Sequence, residues 1–469
     1  MSQRQASTSR DPDSSPTSAL VSHIVGAIGR PLPDRVVRSA CHHILDTVAA
    51  VVSGRMLPAG IAGADFVTKQ GLSGASTVIG IGSSAPAGLA ALANAMAAHA
   101  DESDDTHELS KSHPGCSIVP TALAVAEDLG STGEEVVRAV TLGYDIGCRM
   151  NMALWPVFAD VRKQRWGTPG ISGMFGSASA TMALKGLDEQ RVRYALSYVA
   201  QQVSGMNTWK RDVDHVEKAY VLAGWPAYAA LFAISLIEHG WTGVDDVFTG
   251  DPNFLEIVGK GPDPDRLVDE LGTRFEIERT HIKLHSVGSP AQAPIQALTQ
   301  IIQSHSLADQ DIEGVLVTIP SVLAHTVQRA REMPNINLQY LLSTVVADGT
   351  FSFGAAHDEA RFSAWRLGGA DERIEVVADE SMEPRRQALV EVKTVAGQRL
   401  SNRVEIVRGS SDNPLSEDEV RHKAMGLMVP LLGSERSQLI CDTVLELPAL
   451  TDVNKLTDLL RLSAPGPSR

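Results

Sequence analysis

An acidic stretch that also carries histidines is the part of the sequence best suited to acid–base chemistry. It reads HADESDDTHELSKSHPG, covers residues 99–115, and places His107 and His113 among five carboxylates, which are Asp101, Glu102, Asp104, Asp105 and Glu108. Like charges this close repel each other unless something offsets them. The preceding residues predict a helix, whose C-terminus disfavours negative charge. The alternatives are a solvated acidic loop, a metal site and part of an active site, where clusters with perturbed pKa values are common.

The metal alternative rests on residues 104–108, DDTHE, which match the DDxxE pattern with which helical terpene cyclases bind magnesium. Such a cyclase also needs a second metal-binding motif on another helix and an aromatic-lined cavity for its carbocation. Aromatic residues make up 5% of the chain, and the sequence offers no convincing second motif. We therefore reject this interpretation and expect a site that contains no metal.

Cations that could offset the acidic stretch occur at two later places. Lys218 stands just before an apolar helical pattern in HVEKAYVLAGWPA. The segment HIKLHSVGSPAQAPIQAL, residues 281–298, surrounds a Gly-Ser-Pro helix start with polar groups, namely Lys283, His285, Ser289 and Gln292. A helix N-terminus of this kind can bind a carboxylate. Each lysine alone is more often a surface charge, but together with His113 they could hold an anionic substrate.

A glycine repeat is the remaining motif, because Gly167, Gly170, Gly173 and Gly176 recur at every third residue. Such spacing allows a backbone to approach a ligand or another helix closely. Close helix packing is the commoner explanation, and the absence of a GKS or GKT sequence excludes a P-loop.

The elements that must position these residues follow from the periodicity of the chain. From residue 19 to about 260 the apolar residues repeat as on helices. Strand patterns follow in IEGVLVTIP, RIEVVAD and ALVEVKTVAGQRL, with a helix predicted between them over NINLQYLLSTVVADG. Helical patterns return after residue 405, where Ser416 and Glu419 have the spacing of a capping box.

The sequence therefore predicts a mainly α fold with a large all-helical domain built from both ends of the chain and a smaller inserted α+β domain. Two domains also suit the length of 469 residues. The predicted parts are a disordered tail (1–18), the helical domain (19–274), the α+β domain (275–405), the helical return (406–462) and a loose C-terminus (463–469).

Composition narrows the range of partners. The formal net charge of −15 disfavours nucleic acid and anionic membranes, although a few residues can still make a pocket for a small anion. The four cysteines are scattered without metal-binding spacing, which fits a reducing cytoplasm. No apolar run is long enough to predict a membrane span, and the polar first 18 residues do not resemble a secretory signal.

Four blocks of the sequence resemble the MmgE/PrpD family, which includes 2-methylcitrate dehydratase, cis-aconitate decarboxylase and iminodisuccinate epimerase. The blocks are ANAMAAHADESDDTHELSKSHPGCSIVPTALAVAE, WGTPGISGMFGSASATMALKGLD, HIKLHSVGSPAQAPIQAL and DNPLSEDEVRHKA, in the family's order. The resemblance implies the two-domain arrangement described above, a homodimer, an active site between the domains, and no metal or organic cofactor. By position it implies active-site roles for Glu102, Thr106, His113, Lys218 and Lys283.

The chain departs from the family pattern at several of these places. The family's active-site Asp is Glu102 here, which keeps the carboxylate and lengthens its reach. Gly167 stands where the glycine-rich block usually has a histidine, and Lys218 is not followed by the usual histidine three residues later. The histidine expected after the second lysine is also replaced, near residues 287–289. Three family histidines are therefore missing, so the substrate of any one member does not transfer.

The reactions of the resembling family share proton transfer at a carbon beside a carboxylate. His113 is the expected acid or base, because the pKa of imidazole lies near neutrality. The two lysines are expected to bind carboxylates, or one of them to act as a base if burial lowers its pKa. Glu102 is expected to orient these groups. Asp105, Ser289 and Gln292 are candidate substrate-binding residues, with Asp104 and Asp105 also suited to fixing the loop.

We thus expect a cofactor-independent lyase, a dehydratase or decarboxylase, that acts on a small di- or tricarboxylic acid. An epimerase or isomerase that uses the same proton abstraction is the alternative, and a non-catalytic carboxylate-binding protein is a third. One small ligand must touch both Lys283 and His113, so these side chains are expected to lie within about 15 Å of each other. His107 matches no catalytic position of the family.

Overall fold

The computed structural model describes residues 15–155, 168–212, 214–324, 326–327, 333–368, 371–382 and 386–462, and these form a mainly helical fold with small sheets. The helices are α1 (Pro16–Val25), α2 (Asp34–Gly54), α3 (Pro58–Gln70), α4 (Ala87–Ala98), α5 (Gly115–Leu129), α6 (Gly133–Leu154), α7 (Thr168–Leu184), α8 (Glu189–Gln201), α9 (Val216–Ala219), α10 (Trp225–Glu238), α11 (Phe254–Val258), α12 (Ser289–His305), α13 (Ser321–Ala324), α14 (Leu338–Asp348), α15 (Phe353–Ala356), α16 (Glu359–Leu367), α17 (Glu417–Leu432), α18 (Ser434–Leu445) and α19 (Asn454–Leu460). The strands are β1 (Ser76–Val78), β2 (Ser83–Ala85), β3 (Thr106–His107), β4 (Thr280–His281), β5 (Ile312–Pro320), β6 (Ile374–Asp379), β7 (Ala388–Thr394) and β8 (Arg399–Val404).

The buried apolar side chains of these residues fall into separate cores. One core joins both ends of the chain, because α17 and α18 pack against α2 and bury Leu427 beside Val48. A second core surrounds Phe175 where α1, α8 and α10 meet α7. A third core, with Leu298 and Val317, lies between the largest sheet and the helices α12 and α14.

The largest sheet contains the strands predicted from the sequence. Its order is β6-β5-β7-β8, with β5 parallel to β6 and antiparallel to β7. Burial alternates along β7, whose inward residues face the third core, as expected for a sheet covered by helices on one face. The capping box predicted at Ser416 and Glu419 also forms and begins α17.

The structure shifts two of the predicted boundaries. Helix α1 begins at Pro16, and Thr17 is buried and donates to Asp246 Oδ1 at 2.6 Å, so the predicted tail of 18 residues extends too far. The third core begins at Val287, whereas Phe275 and Ile277 belong to the first core. The predicted boundary at 275 thus falls among residues that pack into the first core. Residues 1–14 and the predicted loose C-terminus, 463–469, lie outside the described residues.

The glycine repeat serves helix packing. A Cβ at Gly176 of α7 would lie 2.5 Å from Ile118 Cδ1 and 2.6 Å from the carbonyl oxygen of Gly143, which is on α6. A Cβ at Gly173 would lie 2.5 Å from Ser117 Oγ. Any side chain at these positions would force the helices apart. Gly167 is not among the described residues.

Among the described residues, one continuous helix, Val216–Glu238, is long and apolar enough to cross a membrane, with a mean hydropathy of 1.7 in its best window, although the sequence predicts no membrane span. The bent pair α2 and α3 meets the same criterion only if taken as one span. In Val216–Glu238, 61% of the window is buried inside the protein, where α10 packs on α4 and α7. Packing within the fold explains its apolar composition.

The helical return is fastened to the acidic stretch by Lys423 of α17. Its Nζ lies 2.5 Å from Asp46 Oδ1 of α2 and donates to the carbonyl oxygen of Ser103 at 2.8 Å. Burial raises the pKa of Asp46, and the ammonium of Lys423 acts against that rise. Because both side chains are buried, the charge of each depends on the other.

Replacing Lys423 by Met is expected to lower the free energy of unfolding by about 3–5 kcal/mol, because Asp46 stays buried without its counter-charge. The loss should be greater at about pH 8 than at about pH 5. Without Lys423, Asp46 binds a proton more tightly in the folded than in the unfolded chain, and this advantage disappears as the pH rises. Urea denaturation followed by circular dichroism measures both values.

Arg421→Met is the matched control on the same helix, because the Arg421–Asp442 pair is partly exposed and should contribute less than about 1 kcal/mol. Equal losses in the two variants would contradict a buried anchoring role for Lys423.

Candidate active site

The acidic stretch is a buried segment rather than a solvated loop. It connects α4 to α5, and its β3 pairs with β4, which aligns Thr106 with His281. Asp101, Asp104 and Asp105 are at most 2% exposed. Each of these carboxylates meets polar groups contributed by other parts of the chain, so their repulsion is offset locally.

Asp105 holds the segment in place. Its Oδ2 accepts hydrogen bonds from Tyr144 Oη at 2.6 Å and lies 2.8 Å from His43 Nδ1, and its Oδ1 accepts from the backbone N–H of Gly115 at 3.0 Å. A carboxylate that is fully buried and bound at both oxygens has little capacity left for a ligand. The structure therefore argues against the substrate-binding role expected for Asp105 and favours the alternative of fixing the loop.

Asp104 is the centre of a cluster of basic groups. Its Oδ2 lies 2.7 Å from His99 Nδ1 and 3.5 Å from His113 Nδ1, and its Oδ1 lies 3.5 Å from Lys283 Nζ. Although burial acts to raise the pKa of Asp104, these three neighbours hold it well below its usual range. Asp104 thus joins Lys283 and His113 through a single carboxylate, well inside the expected 15 Å limit.

Glu102 bridges the two lysines predicted for the site. Its Oε1 lies 2.5 Å from Lys218 Nζ, its Oε2 lies 3.5 Å from Lys283 Nζ, and its backbone oxygen accepts from Lys283 Nζ at 3.0 Å. Burial acts to raise the pKa of Glu102, but the lysines hold it well below its usual range. The carboxylate of Glu102 thus contacts both ammonium groups.

His113 is positioned as a neutral imidazole. Its Nδ1 lies 2.8 Å from the carbonyl oxygen of Asp105, which can only accept, so Nδ1 carries the proton and Nε2 has the free lone pair. Burial lowers the pKa of His113 to about 4, against the opposing charge of Asp104 and with the help of Lys283. At neutral pH its Nε2 is therefore available as a base.

Lys283 remains charged, in contrast to His113. Burial acts to lower its pKa, but Asp104 and Glu102 outweigh burial and raise it. Lys283 therefore stays an ammonium ion, and the possibility that this lysine acts as a base is not supported.

Thr106, Ser289 and Gln292 lie on another side of Lys283. These three residues and Lys283 line a cavity of about 570 Å³ that does not include His113. Gln292 is already occupied, since its amide binds the backbone of His285 at 3.1 and 2.8 Å. The structure thus gathers His113, Glu102, Lys218 and Lys283 into one cluster. Of the other four predicted residues, Thr106, Ser289 and Gln292 lie beside it, and Asp105 fixes the acidic stretch.

Several residues of the site were missed in the sequence. His99 lies within the acidic stretch, and its ring is 5.0 Å from that of His113. His215 contacts Lys218, three residues away, which is a spacing that the sequence does show. His357 Nε2 lies 3.1 Å from Asp101 Oδ2, and no local signal pointed to it. His357, together with the 2.7 Å hydrogen bond from Ser103 to Ser286, ties the acidic stretch to residues beyond β4.

Three side chains of this cluster could ligate a metal ion, but a neighbouring ammonium group opposes one. His99, Asp104 and His113 offer ligand atoms that all lie within 4.8 Å of one another. However, Lys283 Nζ lies 3.5 Å from Asp104 Oδ1 and already supplies a positive charge to it. A divalent cation would meet this ammonium at short range, so the donor set suits an ion pair better than a metal.

His107, the second histidine of the stretch, has a structural role. It is fully buried, with Nε2 3.2 Å from Glu276 Oε2 and Nδ1 2.8 Å from Ser110 Oγ. Its removal would leave the buried Glu276 without this partner. His107→Ala is therefore unsuitable as a control variant for His113→Ala.

Comparison with known proteins shows similarity along most of the chain. The family model of the MmgE/PrpD N-terminal domain matches residues 18–267, and that of the C-terminal domain matches residues 285–447. A protein named cis-aconitate decarboxylase-like protein oryM, from Aspergillus oryzae, is 24% identical over 97% of this chain and 98% of its own length. A protein named cis-aconitate decarboxylase, from Mus musculus, is 22% identical over 82% of this chain and 79% of its own.

Replacing Glu102 by Gln is expected to lower the free energy of unfolding by about 3–5 kcal/mol, because Lys218 loses its buried counter-charge and Lys283 loses one of two. Added citrate should then raise the melting temperature of the variant more than that of the unmodified protein, since a bound carboxylate would replace the missing one. Differential scanning fluorimetry across a citrate series measures this. Glu108→Gln, in the same stretch but partly exposed, is the control, and an identical citrate response in both variants would refute the interpretation.

Proposed function

The chain belongs to the MmgE/PrpD family, and we propose that it is a metal-independent lyase that removes carbon dioxide or water from a small di- or tricarboxylic acid. One observation carries the proposal: a neutral His113 and two charged groups, Lys218 and Lys283, are held around Glu102 and Asp104. This arrangement combines a base with cations that attract carboxylates.

His113 performs the proton transfer in this proposal. For dehydration, its Nε2 takes the proton from the carbon beside a carboxylate and the electron pair forms the new double bond. The leaving hydroxide takes that proton back from His113 and departs as water. For decarboxylation, the bond to the departing carboxylate breaks, and the carbon that keeps the electron pair takes a proton from His113. A bound polyanion raises the pKa of His113, so the same imidazole can carry a proton once substrate is present.

The lysines hold the charge that develops during either reaction. A carbanion beside a carboxylate spreads its charge onto the carboxylate oxygens, where an ammonium ion stabilises it. Lys283 is suited to this role because Asp104 and Glu102 keep it protonated. Lys218 is bound to Glu102 at 2.5 Å, so Glu102 sets the positions of both cations.

The names of the relatives make decarboxylation of a cis-aconitate-like tricarboxylic acid the first reaction to test. An epimerase or isomerase requires the same base and cations, and it would return the proton without loss of a group. A non-catalytic carboxylate-binding protein would keep the cations without needing the neutral base at His113.

The test is a mass-spectrometric screen of di- and tricarboxylic acids, cis-aconitate among them, in deuterated water with excess chelator. We expect a product lighter by carbon dioxide or water. Deuterium uptake without such a loss would favour the isomerase, and binding without turnover would favour the non-catalytic protein. Activity that appears only after magnesium or iron is restored would overturn metal independence.

His113→Ala is expected to reduce turnover at least about a hundredfold with little change in melting temperature, because general acid–base catalysis contributes roughly 10²- to 10⁴-fold and His113 is partly exposed. His239→Ala, at an exposed histidine outside the cluster, is the matched control and should keep full activity.

In the ligand-free protein the imidazole of His113 should titrate with a pKa of about 4, since burial disfavours its charged form. NMR of histidine-labelled protein measures this pKa, with the signal assigned by its absence in the His113→Ala variant. A His113 signal that titrates near its ordinary pKa of about 6.5 would show that the imidazole is not held neutral as proposed.

A further inference from the structure

His215 belongs to the same cluster, but the proposed reaction gives it no role. It is 6% exposed, and its Nδ1 lies 3.2 Å from Lys218 Nζ, which in turn binds Glu102. The contact with Lys218 therefore places His215 beside the ion pair that Lys218 forms with Glu102.

The contact with Lys218 fixes the tautomer of His215. An ammonium ion can only donate, so Nδ1 must accept and the proton must be on Nε2. Burial, reinforced by the charge of Lys218, lowers the pKa of His215 to about 3, so the ring is neutral at physiological pH. Nε2 is buried and has no hydrogen-bond partner among the residues that the structure describes. A buried N–H donor without an acceptor costs free energy of folding, and a bound ligand oxygen would remove that cost.

The backbone around His215 is held in an unfavourable shape. His215 has a φ of 62°, a region that is uncommon for residues other than glycine. Two carboxylates hold the turn: Asp214 Oδ1 accepts from the N–H of Val216, and Asp212 Oδ2 accepts from the N–H of Lys218. A π-helix, Tyr220–Gly224, follows α9 directly. Strain and π-turns concentrate at functional sites, so both features agree with a ligand-binding role.

We propose that the Nε2–H of His215, beside Lys218, forms a subsite for the second carboxylate of a di- or tricarboxylic substrate, the one that does not react. The inference rests on the proposed function and deepens it. A carboxylate oxygen is the acceptor that a neutral buried N–H beside an ammonium ion recognises best. His215 lies three residues before Lys218, whereas the histidine that is missing from the family pattern would lie three residues after it.

Two substitutions separate the two nitrogens of His215. The amide of Asn reaches the position of Nδ1 and can still accept from Lys218, but it leaves no donor at the position of Nε2. The amide of Gln reaches the position of Nε2 and keeps a donor there. Asn also tolerates a positive φ, so His215→Asn should fold.

For a tricarboxylic acid that the protein turns over, His215→Asn should raise KM roughly tenfold or more with kcat changed by less than about threefold, because one hydrogen bond to a charged group is lost. His215→Gln should restore most of the affinity. A monocarboxylic analogue should not distinguish His215→Asn from the unmodified protein. Equal impairment in both variants, or a fall in kcat alone, would overturn the subsite.

Calorimetric binding of the same tricarboxylic acid separates this inference from the proposed function. If the protein shows no turnover, a weaker affinity in His215→Asn than in His215→Gln still supports the subsite. If turnover is found and both variants bind as tightly as the unmodified protein, the subsite is wrong and the proposed lyase stands.

Discussion

The burial of four negative charges within five residues is the constraint on which the rest of the structure depends. Asp101, Glu102, Asp104 and Asp105 cannot remain ionised away from water unless each finds a partner. The partners come from distant parts of the chain, including His43 on α2, Tyr144 on α6, Lys218 on α9, Lys283 after β4 and His357 after α15. This one short segment can therefore be buried only when these distant parts of the chain pack around it.

Burial acts in the same direction on the histidines and the lysines of this cluster, and their neighbours decide the outcome. Two carboxylates near Lys283 outweigh burial, so it stays charged. His113 has Asp104 on one side, but it also faces Lys283, so burial prevails and the ring is neutral. The site thus holds a neutral imidazole beside charged lysines by distributing two carboxylates among four basic groups.

The sequence predicted the elements better than the roles within the site. Alternation in ALVEVKT and the spacing of Ser416 and Glu419 depend on local physics, and both features form as predicted. The prediction that Lys218, Lys283 and Glu102 share one site rested on the family resemblance, because nothing in their spacing predicts contact. His357 and Tyr144 could not be predicted, since their roles exist only once distant helices have packed. The sequence left Asp105 between substrate binding and fixing the loop, because its burial and its three partners appear only in the structure.

The contact between Lys423 and the acidic stretch has a consequence for how the protein is made. Asp46 and Ser103 leave the ribosome long before α17, at about 5–20 residues per second, so they wait on the order of tens of seconds for Lys423. During that interval the nascent chain contains an acidic stretch whose anchor has not been synthesised. The carboxylate of Asp46 and the backbone oxygen of Ser103 gain their contact with Lys423 only after α17 has docked on α2. Completion of this anchor is therefore a late event of biosynthesis, and a chain truncated before Lys423 would lack the buried counter-charge of Asp46.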